Sequence, residues 1–352
     1  MKTLKRIIAL AICLILITIS LAIADSQSST TVTDMAGREV IINGSVDRLH
    51  VDWASGITLA MTLGATDKLV AVPNAFHTDT FAWCRIICPS LENIVPDDAI
   101  YQNIEAVLNY EPQLVITQTK DNIELYERLG LTVIYVKFND VASFKQSIMI
   151  VGTALGGVHL DRANDFCNYM DECYALVQER TAGVADEDRP SVYYVDSRFV
   201  DAYHTVGTGE IQESWILAAG GKLATAPKFK GRNLEITAEE FLNIDPDIIV
   251  IGAQNQAQVF DLLMADPVLC ELTAVKAGRV VRIPQGMFPW CRTGPESAMQ
   301  PIWAGKLLHP ELFEDISIID IARNFYQRFY GTVLSDEQLT GILNGQLTPT
   351  AE

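Results

Sequence analysis

The sequence predicts an α/β protein made of two lobes with parallel sheets, joined by a single long helix. Three observations carry this. The first is a repeat: NIEAVLNYEPQLVIT at 103–117 matches TAEEFLNIDPDIIVI at 237–251. Aligned on Pro112 and Pro246, the copies share Glu105 with Glu239, Leu108 with Leu242 and Asn109 with Asn243, and Glu111 faces Asp245. Each copy reads as a short amphipathic helix, an acid-Pro stop and an apolar run suited to a buried parallel strand. The second is a pair of segments in the same order in each half, KLVAVP at 68–73 and KLATAP at 222–227, each preceded by glycine. The third is LDRANDFCNYMDECYALVQER at 160–180, which has neither Pro nor Gly and reads as a helix of ~30 Å.

The elements follow in chain order. A basic stub (Lys2, Lys5, Arg6) precedes an uncharged apolar run, Ile7 to Ile23, and Ala22-Ile23-Ala24 offers a small-x-small site before Asp25. Residues 1–24 therefore read as a secretory signal peptide or N-terminal anchor, and the protein as exported. Residues 31–157 form the expected first lobe. In it VTDMAGREVII reads as an edge strand or hairpin, RLHVDW (48–53) as a strand and 56–64 as a helix. NIELYERLG (122–130) reads as a helix, TVIYVKF (132–138) as a strand and 140–155 as a helix ending at Gly156-Gly157. The connecting helix is placed at 158–183. A second lobe with terminal helices spans 188–346, from SVYYVD (191–196) through GRVVRIP (278–284), helix 296–308 and DEQLTGILNG (336–345). A connecting helix without Pro or Gly resists bending, so the lobes are expected to move little on binding.

Composition narrows function by exclusion. At 352 residues with a net charge of −18, the chain is an unsuitable partner for nucleic acid. Six cysteines follow the signal segment (84, 88, 167, 173, 270 and 291), an even number that leaves disulfides, buried thiols and, less readily, a metal site open. The five histidines are scattered, and no Walker A, GxSxG, HExxH or dinucleotide fingerprint occurs. The expectation is a binding protein, not an enzyme, with no resident cofactor or metal.

Ligand residues are sought beyond strand ends, where open α/β sheets bind their ligands. Trp53 follows the first strand; Tyr203 and His204 follow SVYYVD; Trp290 and Arg292 lie in FPWCR after the last strand. Lobe one also carries 20 extra residues between its repeated units, and this insertion holds Phe76, Trp83 and Arg85. It reads equally as a recognition loop or as a segment folded on its own apolar cluster. Arg198 and Arg232 join Arg85 and Arg292 as basic candidates, suited to an anionic ligand between aromatic walls formed by Trp53 and Trp290.

Taken together, TDMAGREVII, the two repeats, AVKAGRVVRIP (274–284) and PESAMQPIWAGKLLHPELF (295–313) resemble the periplasmic, or extracellular, substrate-binding proteins of ABC importers, in the iron-siderophore and vitamin B12 class. The resemblance covers about residues 31–346. It implies two Rossmann-like lobes, a monomer, and a metal chelate held between the lobes. A ferric siderophore comes first, with cobalamin or another corrinoid, haem or a nickel chelate as alternatives, and a sensory binding module behind them. It also implies a permease and its ATPase as partners, and a periplasmic or cell-surface location. The family docks through acidic residues on the first helix of each lobe. Here Leu59 and Ser214 occupy those positions, which leaves Glu213 for lobe two and no equivalent in lobe one.

Overall fold

A computed structural model describes residues 29–252 and 254–349; the expected signal segment 1–24 lies outside the described residues. Strands β1 (Ser29–Thr33) and β2 (Glu39–Asn43) form an antiparallel hairpin. Its turn is closed by Asp34, whose carboxylate accepts from the Ala36 and Arg38 amides at 2.9 and 3.0 Å. The hairpin is tied to lobe one through the Met35 amide, which donates to the Tyr135 carbonyl at 3.0 Å.

The lobe-one sheet has the parallel order β3 (Leu49–Val51), β4 (Leu114–Thr117), β5 (Val133–Tyr135). The lobe-two sheet contains β6 (Ser191–Asp196), β8 (Lys222–Leu223), β10 (Ile248–Gly252) and β11 (Val280–Arg282), in the order β11-β10-β6-β8. A short antiparallel pair, β7 (His204–Thr205) with β9 (Leu234–Glu235), lies beside it. Leu69 bridges Leu49 in parallel, as β8 pairs with β6, so the two lobes have the same topology read from their second segment: Leu69, β3, β4, β5 against β8, β6, β10, β11. KLVAVP and KLATAP thus occupy equivalent places, although the first contributes isolated bridges and the second only two strand residues.

The repeat holds at the level of backbone conformation. Glu111 and Asp245 are both left-handed, with φ of 45° and 38°, and each ends its helix directly before proline. The helix in the first copy is a 3₁₀ turn, Ile104–Tyr110, and in the second an α-helix, Ala238–Ile244. The residue after each proline then anchors the neighbouring strand. The Gln113 carboxamide accepts from the Asp47 and Arg48 amides, at 2.6 and 3.0 Å, ahead of β3. The Asp247 carboxylate accepts from the Ser191 amide at 2.7 Å at the start of β6. Both copies deliver a fully buried interior strand, β4 and β10.

Helix α1 (Ala54–Thr62) follows β3, and α2 (Lys120–Arg128) follows β4. Helix α3 (Val141–Leu155) carries a capping box at Asp140 and Ser143 and ends at Gly156, whose φ is 66°. The long helix α4 starts at once and runs unbroken from Gly157 to Thr181. It crosses α3 closely: a Cβ on Gly152 would lie 2.4 Å from the Ala163 Cβ. Helix α5 (Ile211–Ala218) opens lobe two's helical layer, and α6 (Gln300–Leu308), α7 (Ile318–Tyr330) and α8 (Asp336–Leu343) close the chain. Although they follow lobe two in sequence, α7 and α8 pack back on lobe one. The Tyr330 and Thr62 hydroxyls meet at 2.5 Å, the Thr332 hydroxyl donates to the Ile87 carbonyl at 2.7 Å, and Arg162 of α4 donates to the Thr62 and Phe329 carbonyls. Phe166 of α4 sits at the centre, with its ring centroid 5.0 Å from Phe329, 6.1 Å from Phe144 and 6.3 Å from Phe325.

No disulfide joins the six described cysteines, and Cys84, Cys167, Cys173 and Cys291 are buried. Among the described residues no helix is long and apolar enough to cross a membrane. Because Phe166 is fully buried and joins rings from both sides of α4, Phe166→Ala is expected to lower unfolding free energy by about 3–5 kcal/mol. Urea titration followed by far-UV circular dichroism checks this; a loss under about 1 kcal/mol would show that the cluster relaxes around the void.

Candidate ligand cleft

The carboxyl ends of both sheets open onto one cavity of about 860 Å³. Lobe one supplies Trp53 after β3, Gln118 after β4, and Lys137 and Phe138 after β5. Lobe two supplies Asp196 at the end of β6, Arg198, Glu210, Arg232, Phe288 and Arg292.

The lobe-one wall is aromatic. The Trp53 ring lies 6.1 Å from Phe138, which in turn lies 4.8 Å from the core ring of Phe144. Trp53 Nε1 donates to Ser55 Oγ at 2.9 Å, and Gly56 leaves room for the indole: a Cβ there would come within 2.5 Å of it.

The lobe-two wall is ionic. Arg198 donates through Nε to both Asp196 oxygens, at 2.8 and 3.0 Å, and reaches Asn233 Oδ1 at 2.9 Å; hydrogen bonding to Asp196 raises the Arg198 pKa. Arg232 pairs with Glu210 at 2.7 Å. Lys137 and Arg292 differ. Among the described residues neither has a carboxylate within 4.0 Å, and they reach the cavity from opposite lobes. An unpaired cation from each side gives the cleft an excess of positive charge in a strongly acidic chain.

The structure brings four of the ten expected ligand residues, Trp53, Arg198, Arg232 and Arg292, onto the cavity. The others lie elsewhere. Trp290 is fully buried, so it cannot form a wall opposite Trp53; Phe288 takes that side, because within FPWCR only Phe288 and Arg292 turn out of the core. Tyr203 donates to Asp266 Oδ2 at 2.9 Å and packs edge-on to Phe241. His204 stacks on Phe199 with centroids 4.0 Å apart and bonds Asp201 through Nδ1.

The lobe-one insertion is folded on itself. Phe76 is buried and stacked on Phe81 at 4.3 Å, and Trp83 is buried with Nε1 donating to the Gln346 carbonyl at 2.7 Å. Arg85 donates to the Phe76 and Thr78 carbonyls and pairs with Glu92 at 3.1 Å. The insertion is a socket for the C-terminal segment. Glu213 is half-buried on the first turn of α5, where its carboxylate accepts from the Gly209 amide at 2.8 Å, and Leu59 is buried.

Sequence reading missed Lys137, Phe138 and Phe288. The first two follow β5 directly, so the strand-end rule already points to them; their apolar and basic neighbours made 132–138 read as one long strand. Among the described residues no group of three or more His, Cys, Asp or Glu could hold a metal ion. His50, in β3 beneath the cleft, is fully buried, with Nε2 3.4 Å from the Tyr126 hydroxyl and Nδ1 without a partner. Burial lowers its pKa to about 4.

A two-lobed cleft at paired strand ends, lined by aromatic rings and excess positive charge, defines a substrate-binding protein. The chain belongs to the periplasmic binding protein family, whose model matches residues 52–286. Proteins of this family are exported to the periplasm and serve ABC transporters as substrate-binding components rather than as enzymes. The molybdate-binding protein MolA of Haemophilus influenzae is 25% identical over 332 residues, covering 86% of this chain and 91% of that protein. Among solved structures, a periplasmic solute-binding protein from Veillonella parvula superposes with a TM-score of 0.78 at 21% identity, covering 90% of this chain and 97% of that one. MolA bound to molybdate superposes with a TM-score of 0.71 at 19% identity, covering 87% and 99%.

The buried histidine makes stability depend on pH. Its folded pKa of about 4 lies below the ordinary 6.5, so the unfolded chain binds its proton first. The contribution of neutral His50 is complete above pH 6.5 and is lost as pH falls toward 4, at about 1.4 kcal/mol per unit. Urea unfolding of wild type and His50→Leu at pH 7.5, 5.5 and 4.5 should show wild type losing stability relative to the variant as pH falls; a stability difference that stays constant with pH would sink the assignment.

Proposed function

We propose that the protein captures an anionic metal chelate, a ferric siderophore first among them, between its lobes and delivers it as a monomer to the permease and ATPase of an ABC importer. The observation that carries this reading is the placement of Lys137 and Arg292 on one cavity, from opposite lobes and without carboxylate partners. Arg198 and Arg232 are already neutralised by Asp196 and Glu210, and so serve as hydrogen-bond donors at fixed positions. The volume of about 860 Å³ falls in the range of sites for organic ligands, and Trp53, Phe138 and Phe288 offer flat surfaces to a bulky chelate. Docking to the permease through Glu213 belongs to the same reading, with Gly209 holding its carboxylate at the start of α5.

A second reading is a bare oxyanion, favoured by the likeness to a molybdate-binding protein. Two cations converging from opposite lobes suit a dianion as well as a chelate.

Titration calorimetry at low ionic strength, with ferric siderophores, haem, corrinoids, a nickel–histidine complex, molybdate and tungstate, decides between them. One site for a ferric siderophore supports the first reading, and binding of molybdate or tungstate alone supports the second. Silence from the whole panel overturns both. Arg292→Gln and Lys137→Gln should each weaken binding about tenfold or more, on the order of 1.4 kcal/mol, without lowering the melting temperature, because neither cation has a partner to lose. Since α4 is unbroken, small-angle scattering should give nearly the same radius of gyration with and without the bound compound; a clear contraction would mean that the lobes close.

A further inference from the structure

The lobe-two wall depends on a carboxylate that no solvent reaches. Glu296 is 1% exposed, and among the described residues no Lys, Arg or His lies within salt-bridge distance of it. Its partners are all donors. The Met287 amide reaches Oε1 at 3.0 Å, the Phe288 amide reaches Oε2 at 2.8 Å, and the Tyr326 hydroxyl of α7 reaches Oε1 at 2.5 Å. Gly286 lets the backbone come this close, since a Cβ there would stand 2.0 Å from Oε1. The turn so gripped immediately precedes the residues that face the cavity, Phe288 and Arg292. Its far side also touches lobe one, where the Cys84 thiol donates to the Met287 carbonyl at 3.6 Å. Tyr326 in turn belongs to the helix whose Tyr330 hydroxyl meets Thr62 of α1.

We propose that Glu296 is a positioning residue for ligand capture: by accepting from Met287, Phe288 and Tyr326 it fixes where Phe288 and Arg292 stand on the cleft and ties that wall to lobe one through α7. This rests on the cleft being the ligand site. A buried acid without a counter-cation is costly to a fold. Burial pushes this carboxyl up to about 7, while the three donors favour its ionised form. The other titratable groups facing it are Tyr326, Tyr330 and Cys84, and burial holds all three well above their ordinary values. Within this cluster only Glu296 changes charge between pH 6 and 8.

The test uses Glu296→Gln, which keeps shape but turns one acceptor into a donor, with Tyr326→Phe as a milder variant and Glu311→Gln as an exposed control. A ferric tricatecholate siderophore, which is an anionic chelate, and sodium molybdate are the probes, and hydrogen exchange reports the Met287 and Phe288 amides. Glu296→Gln should raise the Kd of whichever probe the wild type binds by about tenfold or more and release one of the two amides, and Tyr326→Phe should show a smaller rise. Wild-type binding should strengthen several-fold from pH 6 to 8, and that change should vanish in Glu296→Gln. If Glu296→Gln melts lower yet binds as wild type, the residue is only structural and the proposal falls. If the wild type binds neither probe, the cleft reading fails for those ligands and the amides decide alone: protection unchanged in both Glu296→Gln and Tyr326→Phe overturns the positioning role.

Discussion

The packing of one helix between two lobes is the constraint on which everything else depends. Phe166, Met170 and Val177 of α4 belong to a hydrophobic core that also contains Val51 and Phe144 from lobe one, Tyr194 and Trp290 from lobe two, and Phe325 and Phe329 from α7. A core shared in this way leaves the lobes little independent freedom, because close-packed interiors do not deform continuously. The cleft is therefore a gap between two sheets whose separation is set from behind.

That arrangement explains why the lobes, although alike in topology, divide the chemistry. Lobe one offers Trp53 and Phe138, seated on the core by Phe144, together with Lys137. Lobe two offers Arg198 and Arg232, each held by its own acid, together with Phe288 and Arg292 on the turn gripped by Glu296. Paired guanidiniums are pinned in place and nearly neutral in sum, so on the proposed reading they orient a ligand more than they attract it. On that reading the unpaired Lys137 and Arg292 supply the net attraction.

The lobe-one insertion shows how the same residues support opposite readings. Phe76, Phe81, Trp83 and Arg85 have the composition of a recognition loop, but the rings are better buried than exposed, and Arg85 satisfies backbone carbonyls of its own loop. The result is a bracket on the back of the molecule, receiving Gln346 through the Trp83 indole and Thr332 through the Ile87 carbonyl. Together with α4 and the Tyr330–Thr62 contact, it makes the C-terminal helices a second tie between lobes.

The amino-acid sequence by itself determined the elements and their repetition. Helix, acid, proline and apolar run are local signals, and Glu111 and Asp245 adopt the same left-handed conformation at the ends of equivalent helices. Strand-end reasoning likewise reached Trp53, Arg198, Arg232 and Arg292, since connectivity alone puts those loops at the open edge of a sheet. Which side chains in a loop turn outward was decided only by the tertiary structure. Phe288 and Trp290 are two residues apart and both aromatic, yet the turn fixed by Glu296 leaves the first half-buried on the cleft and buries the second. The charge balance of the cleft was also settled there, because whether an arginine is free or neutralised depends on which acid the fold brings beside it.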